Sequence, residues 1–260
     1  MMVPESGLLA GLSRQAAARA LESLGLLADG LPAGLTCRLL GPGDADAMRR
    51  LRADVIAGLT DPDHYRVAGE VGDFVADHLG RCGMTAGLFA GGDLVAYGSL
   101  GLPGPGDANR GRDLPLPEAE LPLVAHMASC MIRADHRGLG LHHRLIGWRL
   151  ALADGLGRRH VLTTVSPRNH QSWAHLAAHG ILAKRVVIVA GGLARLLVHR
   201  DGAADPLPDP RTLELCAPGD LAAADGPPAR GGWVWARGRI DDAAGTRYLA
   251  ICARPRDVGV

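Results

Sequence analysis

The segment Met131-Ile-Arg-Ala-Asp-His-Arg-Gly-Leu-Gly-Leu-His142, continued by an apolar run to Ala153, constrains this chain more than any other stretch. It reads as a strand, a tight glycine turn and the start of a helix. Leu141, Leu145, Trp148 and Leu152 fall on one helical stripe, so the helix has a face to bury. The opening N–H groups of a helix have no intrahelical partner, and the macrodipole is positive there. Gly138 and Gly140 allow the backbone to close on a phosphate with no Cβ in the way, and Arg137 adds fixed positive charge. The segment predicts a pocket for a phosphorylated ligand.

The rest of the composition narrows the class. At 260 residues and 47% hydrophobic the chain can fill a core, and with only 3% aromatics that core is aliphatic. A net charge of +1 argues against a general nucleic-acid binder, which needs many phosphate contacts. The five cysteines, Cys37, Cys82, Cys130, Cys216 and Cys252, are scattered and lack C-x-x-C spacing. They read as reduced thiols of a cytoplasmic protein rather than as a zinc site. No secretory leader is evident, and no run of about 18 apolar residues suggests a membrane span. The expectation is a soluble cytoplasmic protein without nucleic-acid or membrane partners.

Along the chain, Ser13 is placed to cap a helix with Ala17, Leu21 and Leu24 on one face and Gly25 at its end. A strand at Cys37–Leu40 precedes a helix opened by Asp44, with Met48, Leu51, Val55 and Leu59 inward. Asp61-Pro-Asp-His-Tyr65 breaks it, and a second helix carries Val71, Phe74, Val75 and Leu79. Strands Ala86–Ala90 and Leu94–Leu100 join at Gly91-Gly92-Asp93. Residues 101–122 have little periodicity, and mobile surface is their default reading, although Glu118 and Glu120 suit an amine site. Strand Leu123–Arg133 enters the glycine turn. A strand at Val161–Val165, the turn Ser166-Pro-Arg-Asn169 and a helix to His179 follow. A hairpin spans Val186–Ala190 and Leu193–His199. Beyond Asp201 comes a linker, then a terminal hairpin, Trp233–Ile240 with Arg247–Arg254.

This order of elements resembles the GNAT superfamily of N-acetyltransferases. Arg137-Gly-Leu-Gly140-Leu-His142 matches the first two fixed positions of that family's Arg/Gln-x-x-Gly-x-Gly/Ala turn. Asn169-His-Gln-Ser172, with Gly180-Ile181 beyond it, fits the later Asn-x-x-Ala/Ser signature. The resemblance implies an α/β GNAT fold, a mixed central sheet flanked by helices, over residues 36–202. Residues 1–35 are then an N-terminal helical extension, and 203–260 a linker plus a C-terminal β-hairpin extension. Two positions depart from the pattern. His142 stands where a small residue normally closes the turn, and Leu176 where a tyrosine often protonates the leaving thiolate.

By the same resemblance the co-substrate is acetyl-CoA or a related acyl-CoA, the acceptor is a small-molecule or peptide amine, and no metal is needed. The backbone of Cys130, Met131 and Ile132 would meet the pantetheine arm. Arg137, Gly138, Leu139, Gly140, Leu141, His142 and His143 would cradle the pyrophosphate, and Asn169 and Ser172 would contact CoA beyond the thioester. Transfer to an amine requires the free base. His126, on the strand facing both substrates, is the first candidate to take the proton, with Ser129 or Tyr97 holding a water instead. Tyr65 lies where the family binds acceptor. Arg133, Arg137, Arg144 and Arg149 gather about the turn, as phosphate partners or as an ordinary charged face. His175 and His179 are four apart on a helix, but lack a third ligand and read as a solvated face. Two other readings stand: a degenerate member that holds CoA without turnover, and an interaction module whose terminal helix and hairpin form a homodimer contact.

Overall fold

The computed structural model describes residues 14–65, 73–203, 209–217, 233–242 and 245–253, with Ala223 and Gly226. These fall into two compact units. The first holds residues 14–60 and 73–161; the second holds 61–65 and the described residues from Leu162 onward.

In the first unit, β1 (Leu35–Leu39), β2 (Gly83–Ala90), β3 (Asp93–Gly101) and β4 (Val124–Ile132) pair in that order, all antiparallel. The first helix, α1 (Arg14–Ala28), runs through Gly25, and Ser13 lies outside the described residues. It buries Ala20, Ser23 and Leu27 while Leu21 is exposed, so its inward face is one step round from the stripe read in sequence. An Ala- and Leu-rich helix offers several apolar stripes, and packing against α4 (Leu141–Gly155) selects one. The stripe read on α4 holds: Leu141, Leu145, Trp148 and Leu152 are each buried.

Asp44 does open α2 (Ala45–Ala57), with its carboxylate on the Arg38 guanidinium at 2.6 Å and on the Gly41 N–H at 2.9 Å. Met48 and Leu51 are buried. The next helix is a single turn, α3 (Phe74–Ala76), continued as a wide turn over Asp77–Arg81, and Val71 lies outside the described residues.

Residues 101–122, expected as mobile surface, are tied down: Gly101 ends β3 and the segment beyond it is bonded to its neighbours. Arg158 Nη1 donates to the carbonyls of Pro103, Pro122 and Val124 at 3.2, 2.6 and 3.0 Å. Asn109 Nδ2 donates to Leu121 O, and Glu120 accepts from Arg159 and pairs with His160. Irregular backbone leaves carbonyls without ladder partners, and one guanidinium collects them.

In the second unit the strand order is β5 (His160–Val165, from Leu162 on), β7 (Leu193–Asp201), β6 (Leu182–Val189), β9 (Trp233–Asp242), β10 (Gly245–Ala253), β8 (Glu214–Cys216). Helix α5 (His170–Ala178) follows β5. The terminal hairpin is present as a ladder, and the linker contributes β8, too short to show a period. The faces of Trp233 and Trp235 lie outside the described residues. Asp61–His64 belongs to this unit because its side chains and carbonyls are held by Ser166, Arg168 and Arg195.

Candidate functional site

The strand that runs into the glycine turn is not regular. Gly98 faces Cys130 and Leu100 faces Met127, so β4 carries one more residue than β3 across that interval. Such a bulge leaves backbone groups without ladder partners and changes which side chains share a face. Tyr97, opposite Met131, places its hydroxyl 3.2 Å from Ser129 Oγ, and both residues are buried. Beyond the bulge, His126 faces Gly101, on the Tyr97 side of β3. The extra residue thus brings His126, Ser129 and Tyr97 to one face, which an unbroken two-residue alternation forbids for positions 126 and 129.

His126 is buried and hydrogen-bonded. Its Nε2 accepts the Arg110 backbone N–H at 3.2 Å. Burial, and then the positive charge of Arg110, His78 and Arg158, lower its pKa to about 4. A nitrogen with an engaged lone pair and little proton affinity removes a proton from an amine poorly. His126 thus ties the 102–123 segment to β4 through the Arg110 N–H.

On the opposite side of the bulge, Arg149 reaches back from α4. Its Nε donates to Leu145 O at 2.9 Å, and Nη1 lies 3.5 Å from Ala128 O. A Cβ on Gly98 would come within 3.3 Å of Leu145 Cβ and 3.5 Å of Nε, so glycine leaves room for this packing. Burial pushes the Cys130 thiol above its ordinary pKa, with the Arg149 charge acting the other way. Arg149 is neither an ordinary surface charge nor a partner at the helix start.

The glycine turn itself is short. Arg133 N–H bonds Val95 O at 2.9 Å, and a 3-10 turn over Ala134–His136 leads to Arg137, whose Nε approaches Ile132 O at 3.4 Å. Gly138 and Gly140 have φ of 79° and 72°, the left-handed region closed to most side chains. A Cβ at either would meet nothing within 4 Å, so the dihedral and not crowding requires glycine. The first helical bond is Arg144 N–H to Gly140 O, which leaves the N–H groups of Leu141, His142 and His143 ahead of the ladder. Leu139 is exposed at the turn and Leu141 buried beneath it. Arg144 is turned to Asp29 O at 2.6 Å and Arg133 to Asp135 at 2.8 Å, while Arg137 has no ion pair among the described residues.

In the second unit, Asn169 caps α5: its Oδ1 accepts from Ser172 N–H at 3.2 Å, and its Nδ2 lies 3.5 Å from His64 O. Leu176 is buried in the unit's core. Among the described residues no cluster of His, Cys, Asp and Glu is suited to a metal ion, and no helix is long and apolar enough to cross a membrane.

No protein-family model matches the chain, and no curated protein matches it in sequence. Solved structures do. The protein yncA from Salmonella typhimurium, solved with its cofactor acetyl-CoA, superposes with a TM-score of 0.50 at 14% identity, over 68% of this chain and 99% of its own. The chain has the GNAT fold. A GCN5-related N-acetyltransferase from Kribbella flavida is similar at 19% identity and a TM-score of 0.47, over 65% of this chain and 99% of that one. Mycobacterium smegmatis RimJ, in complex with CoA-disulfide, is similar at 16% identity and a TM-score of 0.46, over 66% and 85%. The fold class expected from the sequence, a mixed α/β sheet flanked by helices, is thus correct. Within this GNAT fold the sequence reading missed Arg158 and the Asp63–Arg195 pair, and it read Arg149 as a surface or phosphate-binding residue. No local periodicity marks them.

Proposed function

We propose that this chain is an acyltransferase that moves the acyl group of an acyl-CoA, acetyl-CoA in the simplest case, to an amine acceptor. The observation that carries this reading is the turn in which Gly138 and Gly140, both left-handed, open α4 directly after the bulged strand β4. Open space above both glycines, an exposed surface and N–H groups ahead of the helical ladder fit a diphosphate. That yncA was solved with acetyl-CoA on the same fold supports the choice of group. When bound, the thioester supplies an activated carbonyl and a thiol leaving group with a pKa near about 8.5, which needs little help to depart.

In this proposal the N–H groups of Gly138, Leu139, Gly140, Leu141, His142 and His143 hold the diphosphate, with Arg137 beside them. The backbone at Cys130, Met131 and Ile132 lines the pantetheine arm, and a strand N–H at the bulge polarises the thioester carbonyl. Asn169 and Ser172 are assigned to CoA beyond the thioester. The Tyr97–Ser129 pair, rather than His126, holds the water that carries the acceptor's proton away. Calorimetry with CoA, followed by acetyl-CoA turnover over a panel of amines, tests the reading. Micromolar binding with turnover supports it, and no uptake at millimolar CoA removes it.

A second reading, a CoA-holding protein without turnover, is favoured by two observations: Leu176 is buried where a tyrosine often serves as acid, and the His126 lone pair is engaged. Thermal stabilisation by CoA with no turnover of any amine selects it.

A further inference from the structure

A buried arginine with no carboxylate beside it is the least explained group of the first unit. Arg149 is 2% exposed, and burial pulls its pKa below the ordinary guanidinium value. A guanidinium has five N–H donors, and here two contacts use them, one at the 3.5 Å limit of a hydrogen bond. Among the described residues it has no ion-pair partner, and its Nη2 donates to none of them. Trp148 Nε1 is the one fully buried side-chain nitrogen or oxygen among them that lacks a partner, so Nη2 still touches accessible space. Removing an unpaired cation from water is strongly unfavourable, and the fold keeps this one.

Among the described residues none brings it a counter-charge. Ala128 O and the Leu145 carbonyl accept from it, and Gly98 and the Cys130 thiol, neutral because burial raises its pKa, lie beside it. The diphosphate of a nucleotide cannot serve, because it belongs to the helix start. From Leu141 to Arg149 the helix rises about 12 Å. An anion at Arg149 must therefore arrive on the other end of the ligand, beside the bulge. An acetyl group has none to offer.

We propose that the acyl group this chain accepts ends in a carboxylate, as malonyl and succinyl thioesters do, and that Arg149 selects it. This rests on the reading of β4 as the thioester strand. A carboxylate completes the guanidinium's donor set with charge-assisted hydrogen bonds, which an alkyl chain of equal length cannot do.

The test is calorimetry on the full chain with CoA, butyryl-CoA and succinyl-CoA, for the wild type and for Arg149→Met and Arg149→Lys. The wild type should bind succinyl-CoA about tenfold or more tighter than butyryl-CoA, Arg149→Met should bring that ratio to about one, and Arg149→Lys should keep part of it. A wild-type ratio below about threefold overturns the proposal even if no variant folds, while CoA binding leaves the acyltransferase reading standing. A ratio that survives in Arg149→Met overturns it too, since the preference would then come from elsewhere. Uptake of none of the three compounds overturns both readings together.

Discussion

Arg195 and Asp63 stand 132 positions apart in sequence and 2.8 Å apart in the fold. Arg195 is buried on β7 and also donates from Nη2 to Asp63 O at 2.9 Å, while Ser166 Oγ donates to the second carboxylate oxygen at 2.6 Å. Through this pair the Pro62–His64 turn becomes part of the second unit. Arg195→Met leaves a half-buried carboxylate without its cation, and should cost about 3 kcal/mol, read as a lower urea midpoint. Arg195→Lys should recover only part, because an ammonium does not span Asp63 Oδ1 and the Asp63 main-chain carbonyl as a planar fork does. A loss below about 0.5 kcal/mol would place the pair among ordinary surface contacts.

The same carboxylate sets an acid limit. Burial pushes the Asp63 carboxyl up, but the Ser166 hydroxyl and the Arg195 guanidinium outweigh it and hold its pKa below the ordinary value. Its contribution is complete above the unfolded pKa of about 3.9 and is lost as pH falls through the lower folded value. The melting temperature should drop below about pH 4, and Asp63→Asn should flatten that drop while lowering stability at neutral pH.

His126 acts in a different window. Its folded pKa of about 4 lies below that of a free imidazole, so the unfolded chain binds the proton more readily. Stability from a neutral His126 is complete above about pH 6.5 and declines from there down to about pH 4. His126→Gln, which keeps an acceptor for the Arg110 N–H, should remove that slope between pH 7 and 5 in thermal melts. It should leave the pH–rate profile of acyl transfer unmoved, whereas a shifted profile would restore His126 as the base.

Gly140→Ala places a Cβ on a backbone at φ 72° with open space around it. The expected effect is a small stability loss of about 1 kcal/mol. The CoA dissociation constant should rise about tenfold or more, because the turn must re-form to present its N–H groups. Calorimetry beside a urea melt separates the two, and unchanged CoA affinity would count against the turn as the diphosphate cradle.

Arg158→Ala removes the donor shared by the Pro103, Pro122 and Val124 carbonyls. The expected cost is about 3 kcal/mol, with limited proteolysis newly admitted within residues 102–123. An unaltered cleavage pattern would mean that Asn109, Glu120 and His126 hold the segment without it.

The sequence by itself determined what is local. A glycine pair between a strand pattern and a 3.6-residue stripe fixes a turn and a helix start, because only glycine takes the left-handed backbone freely and only a periodic stripe buries one face. The Leu141–Leu145–Trp148–Leu152 face was legible for that reason. Tertiary structure decided the rest. Whether Arg149 points to water or into the sheet, whether the His126 lone pair is free, and which face of α1 is inward depend on groups far away in sequence. The bulge in β4 is likewise set by a mismatch with β3, which no single strand's alternation records. Burial and pairing are properties of neighbours, and a chain read one residue after another does not list them.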